Sequence, residues 1–237
     1  MRPPTLTVIV AARDEEETIE RCLRRIDASL GDRPREILVI DGGTDRTGAI
    51  VRALSTDIPC VRHVPNVGDR GKGHAIRRGG REARAPVMVQ IDADLQFLPE
   101  ELPRLLEPIE AGRADVVLGS RFMAGSTRRP GSTTPLRTFG NKLASLYASG
   151  LFAHRMTDVQ AGMKAWTREA FERIRFASDD YSYEVEIPAR ALRAGFRVVD
   201  VPISTDARAG GQTKVHVVRD GIPLLWDITR FRMQRPR

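Results

Sequence analysis

Four short, largely apolar runs, separated by helix-favouring stretches, constrain the architecture most. Residues 6–11, 36–40, 60–64 and 86–91 each read as a strand. Between them lie a charged segment over 15–28, with Ile19, Leu23 and Ile26 at helical spacing, and further helices over 47–54 and 72–83. Regular alternation of strand and helix predicts an α/β fold, a mostly parallel sheet flanked by helices. The runs are continuous rather than alternating, as strands covered on both faces require.

Beyond Asp92 the pattern loosens. Helices are expected over 99–111 and 182–194, the latter despite Pro188, and strands over 115–118 and 196–203. Residues 123–135, rich in Gly, Ser, Thr, Pro and Arg, read as a mobile loop, and 206–212 as another. Leu136, Phe139, Leu143, Leu146 and Tyr147 then fall on one helical face. With no repeat, low-complexity tract or linker, one domain over 1–237 is the simplest count. Its expected parts are a portion to about 120, a second portion to about 215, and a C-terminal helix.

Composition bounds the function classes. Hydrophobic residues at 41% and charged residues at 29% are ordinary for a globular chain. No run approaches the ~18 apolar residues of a membrane span, and no secretory signal opens the sequence. Cys22 and Cys60 form neither a metal-type pair nor a disulfide framework, so both are expected as reduced thiols in a cytoplasmic protein. The net charge is +7, and 34 of the 38 basic residues are Arg. Phosphate, anionic lipid or nucleic acid would suit that excess. Aromatics at 5% and acids at the strand ends argue against nucleic acid.

The chemistry concentrates at strand ends. The run Val87-Met88-Val89-Gln90-Ile91 leads straight into Asp92-Ala93-Asp94-Leu95-Gln96. In open parallel sheets ligands bind beyond the carboxyl ends of the strands. Two carboxylates there suit a hard divalent cation, Mg2+ or Mn2+, with a substrate diphosphate completing its shell. A lone D-x-D pair is weak evidence; its place after a buried strand strengthens it. Asp41 ends the second strand ahead of Gly42-Gly43, which reads equally as a helix cap with a tight turn and as a ligand contact. Residues 66–75, with Gly71-Lys72-Gly73, form a glycine-rich loop opening a helix and can direct amides and Lys72 at phosphate. Neither the Ser or Thr of a P-loop nor the glycine order of a dinucleotide fingerprint is present.

Together these segments resemble the family 2 glycosyltransferases of the GT-A fold, and most closely the dolichol-phosphate mannose and dolichol-phosphate glucose synthases. The resemblance spans roughly residues 5–215 in seven ordered segments. Val10-Ala11-Ala12-Arg13-Asp14-Glu15-Glu16 is similar to the family's first strand and N-E-E turn, with Asp14 for Asn; it implies nucleotide contacts for Ala11, Arg13, Asp14 and Glu15. Ile40-Asp41-Gly42-Gly43-Thr44-Asp45 resembles D-D-G-S-x-D, but Ile40 replaces the first acid, which leaves UDP against GDP open. Gly71-Lys72-Gly73 is similar to the glucose-type members. Asp92-Ala93-Asp94-Leu95-Gln96 matches the metal motif, implying Asp92, Asp94 and Gln96 as ligands. Gly119-Ser120-Arg121-Phe122, then Asp158-Val159-Gln160-Ala161-Gly162-Met163-Lys164 with Ala161 for Ser and Met163 for Phe, follow in order. So do Glu186, nine residues before Gly195, and Arg208-Ala209-Gly210-Gly211-Gln212-Thr213-Lys214 with Thr213 for Ser.

The resemblance implies inverting transfer of a hexose from a nucleotide diphosphate sugar. Arg121, Arg208 and Lys214 are expected to clamp phosphate oxygens, Arg137 to meet the acceptor, and Glu186 to serve the substrate side. Asp158 is read as a donor contact, an acceptor contact, a base or an anchor. A phosphate acceptor is already largely ionised at neutral pH, whereas a hydroxyl needs a base. Arg128, Arg129 and Arg137 favour a polyprenyl phosphate; the alternative is a hydroxyl of a soluble acceptor. At the C-terminal end Val218, Ile222, Leu225 and Ile228, widened by Leu224, Trp226 and Phe231, suit either a peripheral membrane contact on the cytoplasmic face or packing on the sheet or a second subunit.

Overall fold

The computed structural model describes residues 3–209 and 217–234, with side chains of the last helix from Pro223 onward. The chain runs β1 (Leu6–Ala12), α1 (Ile19–Ser29), β2 (Arg35–Asp41), α2 (Thr47–Asp57), β3 (Val61–Pro65), α3 (Lys72–Glu82) and β4 (Val87–Asp92). A 3-10 turn at Pro99–Glu101 leads into α4 (Leu102–Glu110). Then follow β5 (Val116–Ser120), α5 (Pro135–Phe152), β6 (Lys164–Thr167), α6 (Arg168–Ile174), α7 (Tyr183–Arg193), β7 (Val198–Pro202) and α8 (Val217–Met233).

The strands form one sheet in the order β3-β2-β1-β4-β6-β5-β7. Pairing is parallel except around β6, which runs antiparallel to β4 and β5. Successive β1 residues serve opposite faces, as the two-residue strand period demands. Leu6, Val8, Val10 and Ala12 pack with Ile19, Leu23 and Ile26 of α1 and Leu102, Leu105 and Leu106 of α4. Ile9 joins Ile76 of α3, Trp166 of β6 and Ile187 of α7 on the other face.

After β3 the order reverses, and β4 returns to the free side of β1. That reversal opens a crevice at the carboxyl ends of β1 and β4. Register fixes what lies there: Ala11 pairs with Asp92 and Ala12 with Asp41. Two acids from separate strands therefore flank the end of β1.

Three expectations change. The first turn assigned to α1 is instead a loop: Asp14 sits at φ 59°, the Glu15 amide donates to Thr47 Oγ1 (2.9 Å) and the Glu16 amide to Asp45 Oδ2 (3.0 Å). The left-handed Asp14 breaks the run, the two amides after it are met by the β2–α2 turn, and the helix begins only at Ile19. β6 and α6 had no counterpart in the sequence reading. And the apolar stripe of α5 faces solvent, whereas small residues, Ala144, Ser145 and Ala148, face the protein. The C-terminal face divides similarly: Ile228 and Phe231 are buried, but Trp226 is 69% exposed. Val218 and Ile222 lie outside the described side chains, and Lys214 outside the described residues.

Candidate active site

The turn after β1 and the end of β2 interlock. Asp14 Oδ1 accepts from the Thr44 amide (2.8 Å), and Asp41 Oδ1 from the Gly43 amide (2.9 Å). A Cβ on Gly43 would stand 2.6 Å from the Asp14 nitrogen, so only glycine permits this approach. Asp41 Oδ2 lies 3.0 Å from His63 Nε2 on β3, and His63 Nδ1 lies 3.2 Å from Arg52. Arg13, well exposed, reaches Asp69 at 3.5 Å. Arg13, Asp14, Glu15 and Asp41 thus gather at one end of the sheet, beside half-buried Ala11.

The Asp92/Asp94 pair stands next to them. Asp92 holds Lys72 through both oxygens (2.7 and 3.0 Å), while Asp94 Oδ2 meets Arg208 (3.0 Å) and Asp94 Oδ1 caps the Gln96 amide (2.9 Å). Burial raises the Asp92 pKa; Lys72 opposes this, and Asp94 adds to it. Glu15 is pushed up to about 7, chiefly by burial, against a Thr18 hydrogen bond and with help from Asp94. Glu15, Asp92 and Asp94 thus act on one another electrostatically at this strand end. Hard oxygen donors at a strand end fit a divalent cation. Asp92 and Asp94, now paired with Lys72 and Arg208, could hold one by exchanging those partners. The Gln96 side-chain NH2 donates to the Ser132 carbonyl (2.7 Å), tying the site to the 123–135 loop.

Behind Asp92 lies a buried relay that the sequence reading did not include. Lys72 Nζ also reaches Glu184 Oε1 (3.1 Å), and Glu184 Oε2 pairs with fully buried Lys164. Tyr183 donates to Glu184 (2.6 Å) and accepts from Gln90 Nε2 (3.0 Å). Burial favours a neutral Glu184, but Lys164 and Lys72 outweigh it and lower its pKa. Burial likewise opposes the Lys72 charge, yet Asp92, Tyr183 and Glu184 hold its pKa well above the usual value. A Cβ on Gly162 would stand 2.7 Å from Asp92 Oδ2 and 3.0 Å from Lys72 Nζ, so the backbone itself walls this pair. The signal for Glu184 was its position two residues before Glu186 in a helix whose first two turns are otherwise apolar or aromatic.

On the acceptor side Arg121 and Asp158 form a bidentate pair: Nε to Oδ2 at 2.6 Å and Nη2 to Oδ1 at 2.8 Å. The Arg121 amide adds a third bond to Oδ2 (3.1 Å), and Asp158 is fully buried. Asp158 is therefore an anchor in this structure, and Arg121 is committed to it. Glu186 is corrected more sharply. It is 1% exposed, accepts from the Ala177 (3.0 and 3.1 Å) and Ser178 (2.8 Å) amides, and pairs with Arg190. Its carboxylate holds the turn before α7, with almost no surface to offer a ligand. Arg137, in the first turn of α5, has its pKa lowered by burial, then by the charges of Arg208 and Arg121. Cys22 and Cys60 are free thiols.

Residues 7–175 match the family model described as Glycosyl transferase family 2. The chain belongs to that family. It is a glycosyltransferase. Polyprenol monophosphomannose synthase of Mycolicibacterium smegmatis is 34% identical over 91% of this chain and 83% of its own length. Glycosyltransferase AglD of Haloferax volcanii is 32% identical over 98% of this chain, which spans only 38% of that protein. Among solved structures, glucosyl-3-phosphoglycerate synthase from Mycobacterium tuberculosis, in complex with Mn2+, UDP and phosphoglyceric acid, superposes with a TM-score of 0.74 at 23% identity, over 98% of this chain and 80% of that one. The fold is thus that of the GT-A glycosyltransferases.

Proposed function

We propose that the protein transfers a hexose, with inversion, from a nucleotide diphosphate sugar to a polyprenyl phosphate. The observation that carries this reading is the state of Asp158. The acceptor-side carboxylate that a hydroxyl acceptor would call on as base is buried with both oxygens on Arg121. An ionised phosphate needs no such base. It needs cations, which Arg137 and Arg208, each within the field of the other, would supply. The similarity to a polyprenol monophosphomannose synthase supports the same acceptor class.

On the donor side, the Arg13-Asp14-Glu15 turn and Asp41 would line the nucleoside and Lys72 its phosphates. Asp92 and Asp94 would hold Mg2+ or Mn2+, which when bound neutralises the departing diphosphate. Arg208, now on Asp94, is released toward phosphate oxygens once the carboxylate takes another partner. Lys214 belongs to the same proposed clamp. With no helix among the described residues long and apolar enough to cross a membrane, such an enzyme would meet its lipid at the cytoplasmic face.

The test offers purified protein a short-chain polyprenyl phosphate and the matching alcohol, with GDP-mannose and UDP-glucose in turn, and identifies products by mass spectrometry. Transfer to the phosphate alone is expected. Transfer only to the alcohol, or to a soluble hydroxyl compound, overturns the reading in favour of a soluble acceptor.

A further inference from the structure

Nine large apolar side chains are exposed among the described residues, and seven belong to α5 and α8. Leu136, Phe139, Leu143, Leu146 and Tyr147 follow helical spacing along α5, with Phe139 66% and Leu146 70% exposed. The helix is amphipathic in reverse, small residues inward and large ones outward, the opposite of a helix whose only partner is its own core. α8 lies alongside, fastened by a Tyr147–Thr229 hydroxyl contact (2.7 Å) and by Arg232 on the Leu151 carbonyl (3.2 Å), and it adds exposed Trp226. A groove of about 500 Å3 opens on the same side, between Lys142, Leu146, Gly150, His154 and Arg155.

The charge around this face is mostly positive, and the one acid among the described side chains of α8, Asp227, is paired with Arg230. Residues 121–157 carry six Lys and Arg and no Asp or Glu. Arg121, Arg128 and Lys142 cluster over the Phe122 ring at 5.4, 5.4 and 5.6 Å. Arg155, Arg230 and Arg232 are exposed at the other end.

We propose that the α5–α8 face seats on an anionic lipid bilayer, with the α5 stripe among the upper acyl chains and the flanking cations at the headgroups. This deepens the lipid-acceptor reading and takes its functional meaning from it. Charge complementarity selects the occupant. A second copy joined about a two-fold axis would bring two basic surfaces together, whereas anionic headgroups neutralise them. The face is also continuous with the site: Arg137 opens α5, so a lipid phosphate held in that bilayer meets Arg137 beside Arg208 and Arg121.

The experiment uses the full chain with vesicles of phosphatidylcholine, with and without a quarter of phosphatidylglycerol. Trp166 is 1% exposed and Trp226 69%, so a blue shift in tryptophan emission reports Trp226 entering lipid. Co-sedimentation with the anionic vesicles and that blue shift are expected, both weakening with salt. Leu146→Glu and Phe139→Glu, at exposed positions that leave the core intact, should each lower partitioning by about tenfold or more. Transfer to a short-chain, water-soluble polyprenyl phosphate should be unchanged in both. Absent vesicle binding, or binding equal in wild type and both variants, overturns the proposal. So does a dimer in sedimentation velocity that Leu146→Glu dissociates, which assigns the face to a second copy. Vesicle binding without transfer to any polyprenyl phosphate upholds the docking face and defeats the acceptor reading instead.

Discussion

Asp92 and Asp94 stand two residues apart, yet each is tied to a different cation, Lys72 and Arg208. A donor diphosphate with its metal would compete for both contacts, exchanging internal ion pairs for ligand ones. Asp94→Ala should lower transfer by at least about a hundredfold, the scale of losing one electrostatic contact to developing charge. Stability should change little, because the Arg208 it strands is partly exposed. Chelation by EDTA should reproduce the loss in the wild type; full activity after rigorous metal removal would take the cation out of the mechanism. Glu15 gives a second test, through pH. Its folded pKa, about 7, lies above its ordinary 4.5. The folded state therefore binds the proton more tightly than the unfolded state. The associated stability is complete below pH 4.5 and lost as pH rises toward 7. Glu15→Gln should flatten that decline in metal-free protein by about 1 kcal/mol, since the group is partly exposed. Melting curves at pH 5 and 8 would show it, and an unchanged difference between wild type and variant would refute the placement.

At the scale of elements, legibility follows burial pattern. β1, β2 and β4 are largely apolar on both faces, so their runs, and the acids that end β2 and β4, were plain. β6 was not: it has four residues, begins with Lys164, and displays a charge where a strand signal needs an apolar side chain. That lysine is tolerated because α7 delivers Glu184 to it across the core. The periodicity of α5 was likewise plain, but its orientation was not, because period alone does not say which side is wet. The 15–18 turn failed for a related reason: Asp14 takes up the left-handed region, and Thr47 and Asp45, distant in sequence, meet the amides that follow it, so the helix starts late. The Lys164–Glu184–Lys72 relay yields the third prediction. Glu184→Gln leaves Lys164 buried without its anion and should cost about 3 kcal/mol, with a raised KM for the donor as Lys72 loses its second anchor. Adding Lys164→Met should recover most of the stability, since a neutral buried pair is tolerated, but not the KM. Urea midpoints and donor titrations separate the two. Recovery of both together would reduce the relay to packing.

At the scale of the whole molecule, the sheet order gathers residues from three strand ends into one crevice. Nothing in that crevice is held by a single element: Asp41 comes from β2, the 13–15 turn from β1, Asp92 and Asp94 from β4, and Arg208 from beyond β7. A nucleotide bridging them would bind only the folded chain and would stabilise it by mass action. At a hundred times its dissociation constant the gain is about 2.7 kcal/mol, a rise in Tm of roughly 5–10 °C for a chain of this length. UDP and GDP should be titrated separately, with and without Mn2+. Ile40 stands where the family's first acid would be, so the base preference is open, and the nucleotide giving the larger shift identifies the donor class. The shift should collapse in EDTA and in Asp94→Ala, because the diphosphate then faces Asp92 with no cation between them. A single-stranded oligonucleotide should give no comparable shift despite the basic surface. Equal shifts with and without metal would mean that Lys72 and Arg208 alone hold the phosphates, and the Asp92/Asp94 pair would then need a different role.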